Sequence, residues 1–302
     1  MNTPINIAVI GLGNMGRHHA RHLAAMDNVE LVAVCDANPD TAIDFGQQYQ
    51  CSWYTDWNAL LAHPRLDAVS IITPTSLHHA IAKQSLLTGL HTLVEKPICT
   101  TLDEADELVK LSHDTNKPLM VGHIERFNPT ITSLKTLIDT NAIGRIIHVY
   151  AHRASPMPPQ IKDANVGLDL AVHDIDLCQF LMGSAATTVH RQSGHGQLTD
   201  RDDYASYFLT YPQGAATVHV NWVSPIRIRE ILVTGTTGYA IADSMNKTLR
   251  YWTNDTPQDI PISDTDALAS ELAHFITCIR QSSSPLVDAQ VGRDVLAAII
   301  GE

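Results

Sequence analysis

Two groups of polar residues in this 302-residue chain are of types and spacings that can do chemistry. Asp169, His173 and Asp176 are spaced i, i+4, i+7, which lines them along one stripe of an α-helix, while Leu170, Val172, Ile175 and Leu181 fall on the rest of its circumference. An imidazole beside a carboxylate suits proton transfer, since an unperturbed histidine titrates at about pH 6.5. The plain alternative is a capping carboxylate and a satisfied core histidine. Glu95-Lys96-Pro97 is the second group. Pro97 fixes its own backbone dihedral and biases Lys96 away from helical geometry. The ammonium then stands on a stiff support, from which it can donate to a substrate hydroxyl and stabilise a developing alkoxide.

The elements that must position these groups begin with a doubly wound α/β half. Apolar runs at Ile5 to Ile10, Leu31 to Cys35, Ala68 to Thr73, Thr92 to Val94 and Leu119 to Val121 alternate with helical patterns. Strands apolar at every position are covered on both faces, as in a parallel sheet between helix layers. Glu95 and Lys96 follow one such run, at the carboxyl edge where ligands bind in these sheets. Gly11-Leu12-Gly13-Asn14-Met15-Gly16 follows the first strand and opens the first helix. The first glycine permits the tight turn, the second lets backbone approach a pyrophosphate, and the third lets helix pack on sheet. Asp36, 20 residues past Gly16, closes the second strand. A carboxylate there accepts from both ribose hydroxyls of NAD and repels the extra phosphate of NADP; Ala37 and Asn38 supply no arginine for it. NAD is the expected cofactor and NADP the lesser one, with Thr73, Pro74 and His79 as further contacts from the same sheet edge.

After residue 122 the rhythm changes. One helix spans Thr130 to Asp139, and a strand from Arg145 to His152 leads to the Pro-rich loop of Ser155 to Pro159. A single helix from Leu168 to Met182 carries the acidic and imidazole stripe. Successive strand candidates follow from Thr187 to Trp252, with turn signals such as Pro212-Gln213-Gly214, and two closing helices lie at Asp266 to Gln281 and Val291 to Ile300. The expected division is a dinucleotide-binding domain at 1–121 and an α+β domain with a mostly antiparallel open sheet at 122–302, the last helix packing back on the first domain.

Composition narrows the function further. A formal charge of −12 offers no basic field for nucleic acid or an anionic membrane. Five scattered cysteines suit neither a zinc site nor a disulfide framework, and the amino terminus runs straight into a strand pattern without a basic leader, so the expected compartment is the cytoplasm. His18 and His22 share i, i+4 spacing without further ligands, and no metal is expected.

The glycine fingerprint, the Glu-Lys-Pro triplet and the Asp-x-x-x-His-Asp-x-Asp helix, in that order, resemble the glucose-fructose oxidoreductase, inositol dehydrogenase and MocA-like family across essentially the whole chain. The resemblance implies an active site in a cleft between the domains. Lys96 then matches the catalytic lysine, and Asp169 and His173 match the carboxylate and the general acid/base. It also implies subunit contacts through the open sheet, hence a homodimer or homotetramer. Gly122-His123-Ile124-Glu125-Arg126-Phe127-Asn128-Pro129 is similar to a string in members that oxidise the 3-hydroxyl of UDP-N-acetylglucosamine, whose 3-keto product is aminated for lipid A. Members acting on UDP-sugar acids share part of it, and Gln160 stands where an arginine is expected. On this reading His123, Arg126, Asn128 and Arg153 join Asp169 and His173 at the substrate, with Lys162, Arg227 and Arg229 as further cations. Oxidation of another sugar or inositol, and a non-catalytic dinucleotide sensor, are the alternatives.

Overall fold

The computed structural model describes residues 3–157, 165–196 and 200–301. The chain forms two compact units, one of Met1–His123 with Leu268–Arg293 and the other of Ile124–Ala267 with Asp294–Glu302.

In the first unit, among the described residues, β1 (Ile5–Ile10), β2 (Val29–Cys35), β3 (Ser52–Tyr54), β4 (Ala68–Ile71), β5 (His91–Glu95) and β6 (Leu119–Gly122) form a six-stranded parallel sheet in the order β3-β2-β1-β4-β5-β6. Ile7, Val9, Val34, Val69, Ile71, Leu93 and Val121 have no solvent exposure, as strands covered on both faces require. The crossovers are α1 (Gly16–Ala24), α2 (Pro39–Tyr49), α4 (Thr75–Leu87) and α5 (Leu102–Asp114), with the short α3 (Trp57–Leu61) before β4. Their starts follow local chemistry. Asn38 caps α2 ahead of Pro39, and Thr101 with Glu104 makes a capping box on α5. The order of connections reverses between β1 and β4, so the carboxyl ends of those strands part and open the crevice where such sheets bind ligands.

In the second unit, α6 (Pro129–Asp139) precedes β7 (Ile146–Ala154), and α7 (Val172–Met182) leads into β8 (Thr188–Gly194), β9 (Tyr204–Tyr211), β10 (Gly214–Asn221), β11 (Ile228–Gly235), β12 (Tyr239–Asp243), β13 (Thr248–Trp252) and β14 (Gln258–Ile260). The sheet order is β14-β13-β12-β11-β7-β10-β9-β8, antiparallel except where β7 meets β10. Burial alternates along β9: Ala205, Tyr207, Leu209 and Tyr211 face the core, while Tyr204 and Phe208 are exposed. One face is therefore packed by α6 and α7, and the other carries aromatic side chains outward. The chain ends in α8 (Ala267–Gln281) and α9 (Ala289–Ile300). Among the described residues no helix is long and apolar enough to cross a membrane.

The expected helix from Leu168 to Met182 is two things. Gly167–Ala171 is a π-helical turn, and only from Val172 does the chain become α-helical. Asn165 caps the wide turn, accepting the Leu168 N–H at 3.0 Å on its side chain. Gly167 is needed there because a Cβ would stand 2.6 Å from the Tyr207 hydroxyl.

Candidate active site

The glycine turn is built as a cradle. Gly11 has φ +93°, and a Cβ on it would lie 2.4 Å from the Ile72 carbonyl oxygen; a Cβ on Gly16 would lie 1.9 Å from that of Gly11. Gly13 is different in kind: a Cβ there meets nothing within 4 Å. Its hydrogen faces open space at the start of α1, whose Met15 offers no side-chain cap, so this end of the helix presents N–H groups and a positive dipole end to a phosphate beside Gly13, Asn14 and Met15. Asp36 stands at the end of β2, accepting from Leu12 N at 2.8 Å and from Asn38 N at 2.9 Å. Each carboxylate oxygen keeps acceptor capacity for a ribose hydroxyl. These residues fit a dinucleotide.

On the neighbouring strands, Thr73 and Pro74 precede α4. His79, expected at the cofactor, has its Nε2 2.7 Å from Glu107 on α5, so its ring is tied between helices. Glu95 ends β5, and its Oε2 accepts the Lys96 N–H at 2.9 Å. Burial would raise the Glu95 pKa, but His19 and Lys96 prevail and hold it below the ordinary value. The Lys96–Pro97 peptide is cis. His123 follows β6 and is 1% exposed.

The second unit holds Asp169 in the π-helical turn and His173 at the second residue of α7. A wide turn immediately before a helix is a frequent device at functional sites, where it re-aims side chains that a regular helix would stack. Trp222, which the sequence reading did not single out, donates its indole N–H to Asp169 Oδ2 at 3.2 Å.

Asp176 follows His173 by three residues on α7. It is wholly buried against Arg126, whose guanidinium donates to it from Nε at 2.9 Å and Nη2 at 2.7 Å. Arg153 is likewise internal, 4% exposed, donating from Nε to Asp174 and from Nη1 to Glu125 at 2.9 Å, while Arg229 reaches Glu125 at 3.3 Å. Asn128 caps α6 and donates to Glu125. Arg126, Arg153 and Asn128, expected at the substrate, are thus engaged by internal acids: α7 is buried nearly all round, its acids need cations, and Arg126 and Arg153 supply them. Burial would raise the Glu125 pKa, yet Arg153 and Arg229 keep it below its ordinary value; burial of Arg153 would weaken its hold on its proton, but the two carboxylates strengthen it. Arg227 is exposed, and Lys162 and Gln160 lie outside the described residues. Among the described residues no three His, Cys, Asp or Glu side chains group as a metal site.

Comparison with known proteins agrees with this architecture. A family model described as oxidoreductase family, NAD-binding Rossmann fold, matches residues 5–123, and a GFO/IDH/MocA C-terminal domain model matches 131–241. UDP-N-acetylglucosamine 3-dehydrogenase of Acidithiobacillus ferrooxidans is 33% identical over 97% of this chain and 94% of its own. A solved structure of that enzyme superposes with a TM-score of 0.91, covering 99% of this chain and 96% of that one at 32% identity. scyllo-Inositol 2-dehydrogenase (NAD(+)) of Bacillus subtilis is 29% identical over 98% of this chain and 93% of its own. With both family models matched in order and full-length relatives on either side, the chain belongs to the Gfo/Idh/MocA oxidoreductase family.

Proposed function

We propose that this protein oxidises a hydroxyl of a nucleotide sugar to a ketone with NAD, the preferred substrate being UDP-N-acetylglucosamine at its 3-hydroxyl. The observation that carries the substrate is the full-length likeness to the Acidithiobacillus enzyme of that name. Support for NAD comes from Asp36, a carboxylate at the ribose position with no adjacent arginine.

When bound, NAD supplies the hydride acceptor. Gly11, Gly13 and Gly16 with Asn14 and Met15 hold its phosphates, Asp36 its ribose, and Thr73, Pro74 and the Glu95-Lys96 segment its far end. Lys96 polarises the substrate hydroxyl, His173 takes the proton, and Asp169 orients the imidazole and stabilises its cationic form. The nucleotide-binding domain of 1–121, whose compact unit also takes in Leu268–Arg293, and the substrate domain that begins at 122 divide these roles. Subunits pair through the open sheet face that carries Tyr204 and Phe208. Five free thiols suit a reducing cytoplasm.

Absorbance of reduced nicotinamide, with UDP-N-acetylglucosamine, UDP-N-acetylglucosaminuronate and inositol each offered with NAD and NADP, tests the reading. Turnover of the first with NAD is expected. Turnover of inositol alone overturns the nucleotide-sugar assignment, and dinucleotide binding without turnover of any of the three favours a sensor.

A further inference from the structure

A lysine ammonium rides on a flexible four-carbon stem, so where it can act depends on how firmly its backbone is held. Lys96 is flanked by two residues, and each is engaged by a buried histidine. On the carboxyl side, His78 of α4 is 1% exposed, with Nδ1 2.8 Å from the Pro97 carbonyl oxygen and Nε2 2.9 Å from that of Thr73. On the amino side, the Lys96 N–H donates to Glu95 Oε2, and Glu95 Oε1 faces Nε2 of the fully buried His19 at 3.6 Å; His19 Nδ1 in turn lies 3.0 Å from Ser70 Oγ. Burying an imidazole is unfavourable unless polar partners meet it; His78 finds them at Pro97 and Thr73, and His19 at Ser70 with Glu95 at ion-pair distance, so each ring has one partner beside Lys96. Burial draws the His78 pKa below its ordinary value against the pull of the two carbonyls.

The two histidines come from informative places. His19 is on α1, the helix opened by the glycine turn, and His78 is on α4, the helix opened by Thr73-Pro74. The loops that hold the dinucleotide and the triplet that carries the amine are thereby referenced to one another within a single unit. We propose that His19 and His78 are positioning residues for Lys96, fixing its backbone from both sides so that the ammonium meets the reacting hydroxyl at a set place relative to the bound dinucleotide. This rests on the reading of Lys96 as the group that polarises that hydroxyl.

The test measures kcat and KM with NAD and UDP-N-acetylglucosamine, NAD affinity by fluorescence titration, and melting temperature. His78→Ala is expected to lower kcat about tenfold or more, as a small misplacement of a catalytic group does, with substrate KM within about twofold of the parent. His78→Asn sets an amide nitrogen near the place of Nδ1 and keeps the donor to Pro97, so it restores most of kcat. His78→Gln reaches instead toward Thr73 and does not; this pair carries the test should the alanine variant fold poorly. In a Lys96→Ala background, His78→Ala and His19→Ala each add nothing further to the loss, because they act through the lysine. Losses that multiply in full, parent kcat in His78→Ala, or equal rescue by Gln and Asn would overturn the proposal. Parent turnover by Lys96→Ala itself removes the role of the lysine and the clamp with it. An impaired Lys96→Ala beside a parent-like His78→Ala removes the clamp alone.

Discussion

The indole N–H of Trp222 points at Asp169, 3.2 Å from its Oδ2, from a ring only 1% exposed. A rigid, buried donor thus sets the direction of the carboxylate that stands one turn ahead of His173. Trp222→Phe keeps the aromatic volume and removes the donor. A hydrogen bond to a charged group contributes about 1.5–3 kcal/mol, so kcat/KM for UDP-N-acetylglucosamine should fall roughly ten- to a hundredfold while NAD affinity holds. Steady-state kinetics at parent level in this variant would separate Asp169 from the indole.

Glu125 is the shared anion of Arg153 and Arg229, and Asp174 shares Arg153 with it. Glu125→Gln leaves a buried cation undercompensated and is expected to destabilise the protein by about 3 kcal/mol, a drop of roughly 5–10 °C in melting temperature. The folded-state pKa of Glu125 is depressed, so its contribution is complete above pH 4.5 and is lost as pH falls through the lower folded value. Asp174 opposes this, because burial raises its pKa against the pull of Arg153. Melting temperatures of parent and Glu125→Gln measured from pH 7 downward should therefore converge below pH 4.5; a constant gap would mean that the carboxylate charge is not what stabilises the cluster.

The three glycines of the turn separate folding from binding. Gly11→Ala and Gly16→Ala push a methyl into backbone oxygens and should lower the melting temperature or abolish the fold. Gly13→Ala has room in the chain itself. It should melt like the parent and lose NAD affinity by about tenfold or more, since the methyl occupies the space a pyrophosphate needs. Thermal scans and NAD titration of the three variants check the contrast, which fails if Gly13→Ala binds as tightly as the parent.

Asp36 is expected to set the preference for NAD over NADP. Asp36→Ala should raise the NADP-to-NAD ratio of kcat/KM, yet activity with either cofactor should stay well below that of the parent with NAD, because Leu12 N loses its acceptor and the glycine turn its brace. An unchanged ratio would remove Asp36 from cofactor choice.

The parallel sheet was legible because β1, β4 and β6 are apolar at nearly every position, broken by Asn6 and Ser70, and that pattern has one common physical cause. β3 escaped notice because Ser52–Tyr54 is a three-residue edge strand with Trp53 half-exposed, and α3 because five residues are too few to show a helical period. The internal partners of Arg126 and Arg153 were hidden for a different reason. An arginine reads the same in sequence whether it faces a ligand or a buried acid, and their partners lie 50, 21 and 28 residues away. The signal available was Asp174 and Asp176 on a largely apolar helix, two charges that had to be met from inside. The π-helical turn left no compositional trace, and the bonds of His19 and His78 join residues 51 and 19 apart that no spacing rule connects.

The wide turn at Gly167–Ala171 also makes this part of the protein vulnerable to changes in length. It holds one residue more than a regular turn, so loss of a single codon, that of Leu170 for instance, would let the segment rewind and swing Asp169 around the axis away from Trp222 while every named acid, base and donor survived. Damage of that sort is invisible to a residue-by-residue inventory of the site, and inherited insertions or deletions here should inactivate as surely as replacement of His173 itself.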